Sequence, residues 1–550
     1  MEDNQYAHFI TNQLIETWSE ISKQLLQQPD KLTRCHLELW KDYQELLQHL
    51  TDNVISIDKR FTGKAWQEQI LFNFIQRAYF LLTTHIDNLI KNSSGNNKES
   101  AKKLHFFAKQ FLDSIAPTNF ISTNPEIITR TIETQGKNLV NGLKQFLNDI
   151  KQNNGQWLTP SVNLTSFEIG KNIACTPGKI VFQNDLIQLI QYNVTAKKTY
   201  KHPLLIIPPW INKYYILDLQ QENSLVKWLV DQGFLVFMIS WVNPETAHRE
   251  KQFSHYLIEG PIAALKIIQE ITNQPQVNVL GYCIGGTLLS CMLAYLAKKN
   301  NHSIRSATFL TTLIDFSEPG DLGVFIGDKQ INELEKHMQP KGYLDGHVMA
   351  AVFNALRAND LIWSSFITTY LKGQKPKPLD LLYWNYDSTN IPEKVHSFYL
   401  RNMYLNNKLI HPNQLKLADE YIDLNKITTP CYFLATKDDH IIPWASCYKS
   451  SLLLSGPVRF VLASSGHVAG VVNHPGKNKY GFWTYSKRPL DPESYLKNAT
   501  FHEGSWWPHW INWLKPYAGR LINTKHANAR KNYIIEDAPG SYVKKRLITI

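Results

Sequence analysis

The segment Gln276–Gly286, QVNVLGYCIGG, decides the fold. Its apolar run Val277–Leu280 reads as a buried strand, Gly281 to Gly286 as a sharp turn, and Thr287–Lys299 as a helix. A cysteine stands in this turn with glycines two residues before it and two after. That is the G-x-nucleophile-x-G spacing of a strand–turn–helix that presents a reactive side chain at its tip, with cysteine where serine is more common. Side chains two residues to either side of such a tip would collide, so glycine is required there. The helix that follows aims its free N–H groups at any negative charge formed beside the nucleophile.

From about Phe167 onward the chain alternates strands and helices. Strands are predicted at Lys179–Phe182, Leu204–Ile207, Leu235–Ser240, Val277–Leu280, Ala307–Leu313, Cys431–Ala435 and Val458–Leu462. Helices are predicted at Leu225–Gln232 and Glu259–Thr272. This alternation implies a mostly parallel α/β sheet. Together with the cysteine turn it implies an α/β-hydrolase fold, residues 166–550. A long, aromatic-rich helical insertion at about 316–426 would form a cap over the C-terminal ends of the strands. Residues 1–165 read as a separate, all-helical N-terminal domain. Ile10, Leu14, Trp18, Ile21 and Leu25 recur at helical spacing, as do Trp66, Ile70, Phe74 and Ala78. Ser93–Asn97 reads as a break, and Ala116–Glu126 (APTNFISTNPE) as an ordered loop.

A cysteine with an ordinary thiol pKa of about 8.5 needs a base. In this fold the chain order is nucleophile, acid, histidine. The strand Cys431–Ala435 opens into TKDDHIIP, where Asp439 fits the acid and Asp438 is the alternative register. Gly466-His467 follows the strand Val458–Leu462, which makes His467 the base. His440, beside the acid, is a candidate for orienting it or for contacting substrate. For the oxyanion of acyl transfer, one donor is the N–H of Ile284. The other comes from Trp210, Ile211 or Asn212, since Pro208 and Pro209 have no N–H; Ile211 is preferred.

Cysteine rather than serine matters energetically. It would hold an acyl group as a thioester, nearly as activated as a carrier thioester. Exchange onto Cys283 is then close to balanced, and onward transfer to a hydroxyl runs downhill. The same residues could serve a cysteine-dependent ester or thioester hydrolase.

Composition narrows the alternatives. The 550 residues carry a net charge of +11, 43% hydrophobic and 12% aromatic residues. That suits a globular protein with some attraction for an anionic substrate, and no basic stripe with a nucleic-acid-binding motif is present. Six cysteines (Cys35, Cys175, Cys283, Cys291, Cys431 and Cys447) are scattered with no C-x-x-C pair and no histidine at zinc spacing, so no metal is expected from them, and no cofactor is expected. The polar start MEDNQYAHFI does not read as a signal peptide, and no apolar run reaches membrane length. A cytoplasmic, reducing location without transmembrane segments is expected.

GYCIGGT (Gly281–Thr287) resembles the G-x-C-x-G-G box of polyhydroxyalkanoate synthases. So do PPWINKYYILDL (Pro208–Leu219), ISWVNP (Ile239–Pro244), GDLGVFI (Gly320–Ile326), YWNYDSTNIP (Tyr383–Pro392), YLRNMYL (Tyr399–Leu405), DDHIIPW (Asp438–Trp444), SGHVAGVVN (Ser465–Asn473), GSWWPHW (Gly504–Trp510) and the Ala116–Glu126 loop. The length is similar to that of class I enzymes. The resemblance implies polymerisation of (R)-3-hydroxyacyl-CoA, commonly 3-hydroxybutyryl-CoA, into a polyester with release of CoA. It implies Cys283 as acylated nucleophile, His467 as base and Asp439 as acid. The aspartate would act on the substrate hydroxyl directly or through the histidine. It further implies Ile284 and Ile211 as oxyanion donors, an active homodimer and association with polyester granules. Arg401 lies in a family segment and is a candidate substrate contact, or else a structural ion pair. Phe353, Trp363, Phe366 and Tyr370 are candidates for covering the thiol.

Overall fold

A computed structural model describes residues 29–52, 58–93, 98–152, 164–524 and 530–547, with isolated positions between 15 and 26. The periodic residues Ile10, Leu14, Trp18, Ile21 and Leu25 therefore lie outside the described residues, as do 94–97 of the expected break. The chain folds as two compact units. One is Met1–Asn163 with Val352–Lys377; the other is Leu164–Ala351 with Pro378–Ile550. Among the described residues no helix is long and apolar enough to cross a membrane, and no cluster of His, Cys, Asp and Glu could hold a metal ion.

In the first unit, helices run Pro29–Gln48, Ile70–Ser93, Lys98–Ser114, Pro125–Glu133 and Lys137–Gln152. Phe61, Trp66, Phe72, Tyr79 and Ala116 share a core. The expected face Trp66–Ile70–Phe74–Ala78 does not form. Gln69 is extended (φ −97°, ψ 118°), so a short helix ends at Glu68 and a new one starts at Ile70. The break resets the helical phase: Phe72 and Tyr79 are buried, while Ile70 is 57% exposed. The Ala116–Glu126 loop contains a 3₁₀ turn at Pro117–Asn119, and Asn124 caps the helix Pro125–Glu133 through its side-chain oxygen.

Part of the expected cap belongs to this first unit. Trp363 packs edge-on against Phe366 (5.9 Å), Phe366 against Tyr370 (5.5 Å) and Tyr370 against Phe146 (5.2 Å). The Tyr370 hydroxyl donates to Asp149 at 2.9 Å. Gly142 admits the Tyr370 backbone; a Cβ there would lie 1.7 Å from the Tyr370 carbonyl oxygen. Of the rings considered for covering the thiol, Tyr370 packs on the helix Lys137–Gln152, and Trp363 and Phe366 pack in series behind it.

The second unit is built on an eleven-stranded sheet. In chain order the strands are β1 Gly178–Gln183, β2 Ile187–Tyr192, β3 Leu204–Ile207, β4 Val236–Trp241, β5 Val277–Tyr282, β6 Ile304–Leu310, β7 Cys431–Thr436, β8 Val458–Ala463, β9 Gly481–Thr484, β10 Thr500–Glu503 and β11 Glu536–Asp537. Across the sheet they run β10-β9-β8-β7-β6-β5-β3-β4-β2-β1-β11. The stretch from β8 to β4 is parallel, and both flanks are antiparallel. The parallel strands are apolar and buried on both faces, as crossover helices require. After β3 the chain places β4 on one side and β5 on the other. This is the switch point at which the strand ends leave a crevice.

The seven expected strands all appear, with ends moved by a few residues. The strand expected at Ala307–Leu313 stops at Leu310, because Thr311 turns to φ 40° and donates its N–H to Leu434 O. Strands β2, β9, β10 and β11 were not foreseen. β2 (IQLIQY) is buried along its whole length, glutamines included. The Gln188 amide is satisfied by Gln183 on the neighbouring strand and by Glu536 and Ser541, which are distant in sequence.

Candidate active site

Cys283 stands between the last residue of β5 and the first of helix Ile284–Lys298, at φ 54° and ψ −124°. A non-glycine residue held there stores roughly 1–3 kcal/mol of strain. The surroundings impose it. Cys283 N–H donates to Leu310 O at 2.9 Å, while its own carbonyl accepts from Gly286 and Thr287. The glycines are required by close approach. A Cβ on Gly281 would come within 2.6 Å of Gly286 Cα. One on Gly285 would lie 2.2 Å from Ile207 O, and one on Gly286 would lie 2.0 Å from Thr312 Oγ1.

Asp439 and His467 lie just past the ends of β7 and β8, adjacent parallel strands. His467 Nδ1 donates to Asp439 Oδ2 at 2.8 Å, and the two side chains are 6% and 0% exposed. The second oxygen, Oδ1, accepts the backbone N–H of Ile441 and of Ile442, each at 2.9 Å, and Thr436 Oγ1 donates to Oδ2 at 3.1 Å. Asp438 instead is exposed, and its N–H donates to Ser465 O. The backbone thus selects the register: the residue whose carboxylate turns inward is Asp439.

The Cys283 sulfur lies close enough to act electrostatically on the His467 imidazole. Burial works against a charged imidazole here, but the Asp439 carboxylate and the Cys283 sulfur outweigh it, raising the His467 pKa to about 10. The ring stacks on Tyr282 (centroids 5.6 Å, planes 23° apart), whose hydroxyl donates to His467 O at 3.2 Å. Farther along the same loop, Trp506 Nε1 donates to Gly470 O at 3.0 Å, and Trp507 Nε1 to Val471 O at 2.9 Å. The GSWWPHW segment therefore fixes the loop that carries the histidine.

Ile284 opens the helix and Ile211 follows β3; among the described residues, neither backbone N–H is taken by a hydrogen bond. Unbonded backbone donors are what a developing oxyanion needs. The Tyr399 and Tyr404 phenols lie within electrostatic reach of the Cys283 sulfur, and burial pushes both well above the usual phenol range. Phe316 packs edge-on against each of them.

His440 is half-buried in the loop beside Asp439. Arg401 is committed elsewhere: its Nε and one terminal nitrogen form a two-pronged pair with Glu335 at 2.8 and 2.7 Å, and Asn332 is at 2.6 Å. This is the structural ion pair of the two roles considered for it. Tyr282 and Thr436 are site residues that sequence reasoning passed over. Both end strands that feed the site, which is the one signal that could have found them.

Residues 57–229 match the family described as poly-beta-hydroxybutyrate polymerase (PhaC) N-terminus, and 202–473 match the alpha/beta hydrolase fold. The chain is 45% identical over 489 residues to the poly(3-hydroxyalkanoate) polymerase subunit PhaC of Rhizobium etli, covering 89% of this chain and 77% of that one. It is 42% identical over 544 residues to the subunit of the same name from Rhizobium meliloti, covering 97% and 89%. Against the one from Cupriavidus necator it is 38% identical over 530 residues, covering 94% and 89%.

Proposed function

This chain belongs to the poly-beta-hydroxybutyrate polymerase (PhaC) family, and on that premise we propose that it polymerises (R)-3-hydroxyacyl-CoA, foremost 3-hydroxybutyryl-CoA, through a Cys283 acyl-enzyme. It is an acyl-transferring enzyme of polyhydroxyalkanoate polymerisation on an α/β-hydrolase fold. The observation that carries the finer reading is the line Asp439–His467–Cys283 at three strand ends.

In the proposed cycle, His467 takes the Cys283 proton, and the raised basicity of the imidazole favours the resulting ion pair. The thiolate attacks the carbonyl of the substrate thioester. The oxyanion is met by the Ile284 and Ile211 N–H groups. Collapse breaks the bond to CoA sulfur, and His467 returns the proton to the departing thiolate. In the second half, His467 draws the proton from a 3-hydroxyl, whose oxygen attacks the acyl-cysteine. An ester forms and Cys283 is released. Both Asp439 oxygens already accept hydrogen bonds in a side chain with no exposure, which favours action through His467 over direct contact with the hydroxyl.

The test is purified enzyme with (R)-3-hydroxybutyryl-CoA, following free CoA and insoluble polyester together. Both are expected, and both should vanish in Cys283→Ala. Release of CoA with free hydroxy acid and no polyester would assign a hydrolase instead. The homodimer and the granule association belong to the same proposal; sedimentation with and without substrate measures the first, and co-pelleting with polyester the second.

A further inference from the structure

The loop carrying the Ile211 N–H is held by residues far from it in sequence. Trp241 Nε1 donates to Pro208 O at 3.0 Å. At the loop's other end, Asn212 and Ser388 form an isolated antiparallel bridge, and Thr389 N–H donates to Ile211 O at 3.0 Å. The Thr389 hydroxyl lies 2.5 Å from Trp210 O and 3.1 Å from Ile211 O. A hydroxyl has one proton to give. Ile211 O already accepts the Thr389 N–H, so the shorter contact takes that proton. Among the described residues, Thr389 is the one donor to Trp210 O.

Trp210 O and the Ile211 N–H are opposite ends of one peptide plane. In a planar trans peptide the two bonds point in opposite directions, so fixing the oxygen aims the hydrogen. Thr389 is itself well placed to act as a fixed point. It is 3% exposed, and the next residue, Asn390, is bonded through its N–H to Asn243 Oδ1 and through its amide to Pro244 O, both at 3.0 Å.

We propose that Thr389 is a positioning residue for acyl transfer: its hydroxyl, by holding Trp210 O, sets the direction of the Ile211 N–H as oxyanion donor. The proposal rests on Cys283 acyl transfer with Ile211 as a donor. Because the donor acts where charge develops, misaiming it raises the barrier more than it weakens substrate binding. The hydroxyl also ties donor geometry to the insertion that carries Thr389.

Two reactions of the same sulfur separate this role from a general structural one. Acylation by 3-hydroxybutyryl-CoA passes through an oxyanion. Alkylation by iodoacetamide forms the S–C bond as iodide leaves, and no oxyanion arises. In Thr389→Val, single-turnover CoA release should fall about 10- to 100-fold with KM changed less than about threefold, somewhat short of losing a donor outright. Alkylation of Cys283 should stay within about twofold of the parent, and Thr389→Ser should restore acylation. Equal loss of both reactions in Thr389→Val, or unchanged acylation there, overturns the role. So does a Thr389→Ser variant that acylates poorly, an arm that holds even if the valine variant fails to fold. A parent enzyme that releases no CoA overturns the functional reading and this proposal together. An active parent with an equally active valine variant overturns this proposal alone.

Discussion

Asp439 reaches His467 at 2.8 Å only because its other oxygen is held in place by two successive backbone N–H groups, those of Ile441 and Ile442. A carboxylate tethered in this way orients the imaginary line from acid to imidazole to sulfur without motion of its own. Its neighbour Asp438 faces solvent.

Asp439→Asn should therefore lower single-turnover CoA release by about two to four orders of magnitude, through loss of the tautomer and of the charge that supports the imidazolium. Asp438→Asn should stay within about twofold. Parallel kinetics of the two variants check the register, and a severe loss confined to Asp438→Asn would reverse it.

The raised pKa of His467 makes a signed prediction for stability. Its folded value, about 10, lies above the unfolded value of 6.5. Between those limits the folded protein holds a proton that the unfolded chain has released. The stabilising contribution is complete below pH 6.5, declines across the window and is gone once pH rises through about 10. Thermal unfolding of the parent and of His467→Gln across this range should show the parent's advantage shrinking as pH rises. Curves that stay parallel would contradict it.

Gly285→Ala should damage both fold and chemistry. The new Cβ would fall 2.2 Å from Ile207 O and 2.8 Å from Pro208 O, backbone atoms that cannot swing aside. Overpacking of this kind costs about 1–3 kcal/mol, and relief would displace the loop that bears Ile211. Denaturant unfolding measures the first effect and single-turnover acylation the second; a variant normal in both would show that the elbow yields more easily than its geometry implies.

Arg401→Met removes a partly exposed ion pair with Glu335 (33% and 26% side-chain exposure). Such pairs contribute about 0–1 kcal/mol. Stability should fall by no more than about that amount, and KM for the acyl-CoA should move less than about twofold. A large rise in KM would return Arg401 to the list of substrate contacts.

Tyr282→Phe leaves the ring stack and removes the hydroxyl that donates to His467 O. Leaving a buried carbonyl without its donor costs about 1–3 kcal/mol. Unfolding should register that loss, with kcat down only a few fold, because Asp439 still orients the ring. A fall in kcat as deep as that of Asp439→Asn would mean the backbone, rather than the carboxylate, places the imidazole.

Much of the sheet was legible because its signals are local. Buried parallel strands are short apolar runs, and the runs at 204–207, 277–280 and 431–435 could be little else. The cysteine turn was equally local: Gly281 and Gly285 are glycine because backbone atoms approach within 3 Å of where a Cβ would be. Asp439 and His467 were found by order along the chain, each immediately after a strand. Where partners are distant the signal faded. β2 buries Gln188 by bonding its amide to Glu536 and Ser541, and the phase of Trp66–Ala78 was lost to a single extended residue, Gln69.

By itself, then, the sequence determined seven of the sheet's strands, the glycine-framed cysteine turn, and the positions of Asp438, Asp439 and His467 just past two of those strands, since each depends on residues adjacent in the chain. Tertiary structure decided which aspartate turns inward, where Val352–Lys377 packs, and that Arg401 is spent on Glu335. It also brought Thr389 to the Trp210 carbonyl. Each of those outcomes depends on a contact partner or a backbone direction that no neighbouring residue dictates, so only the folded chain could bring it about.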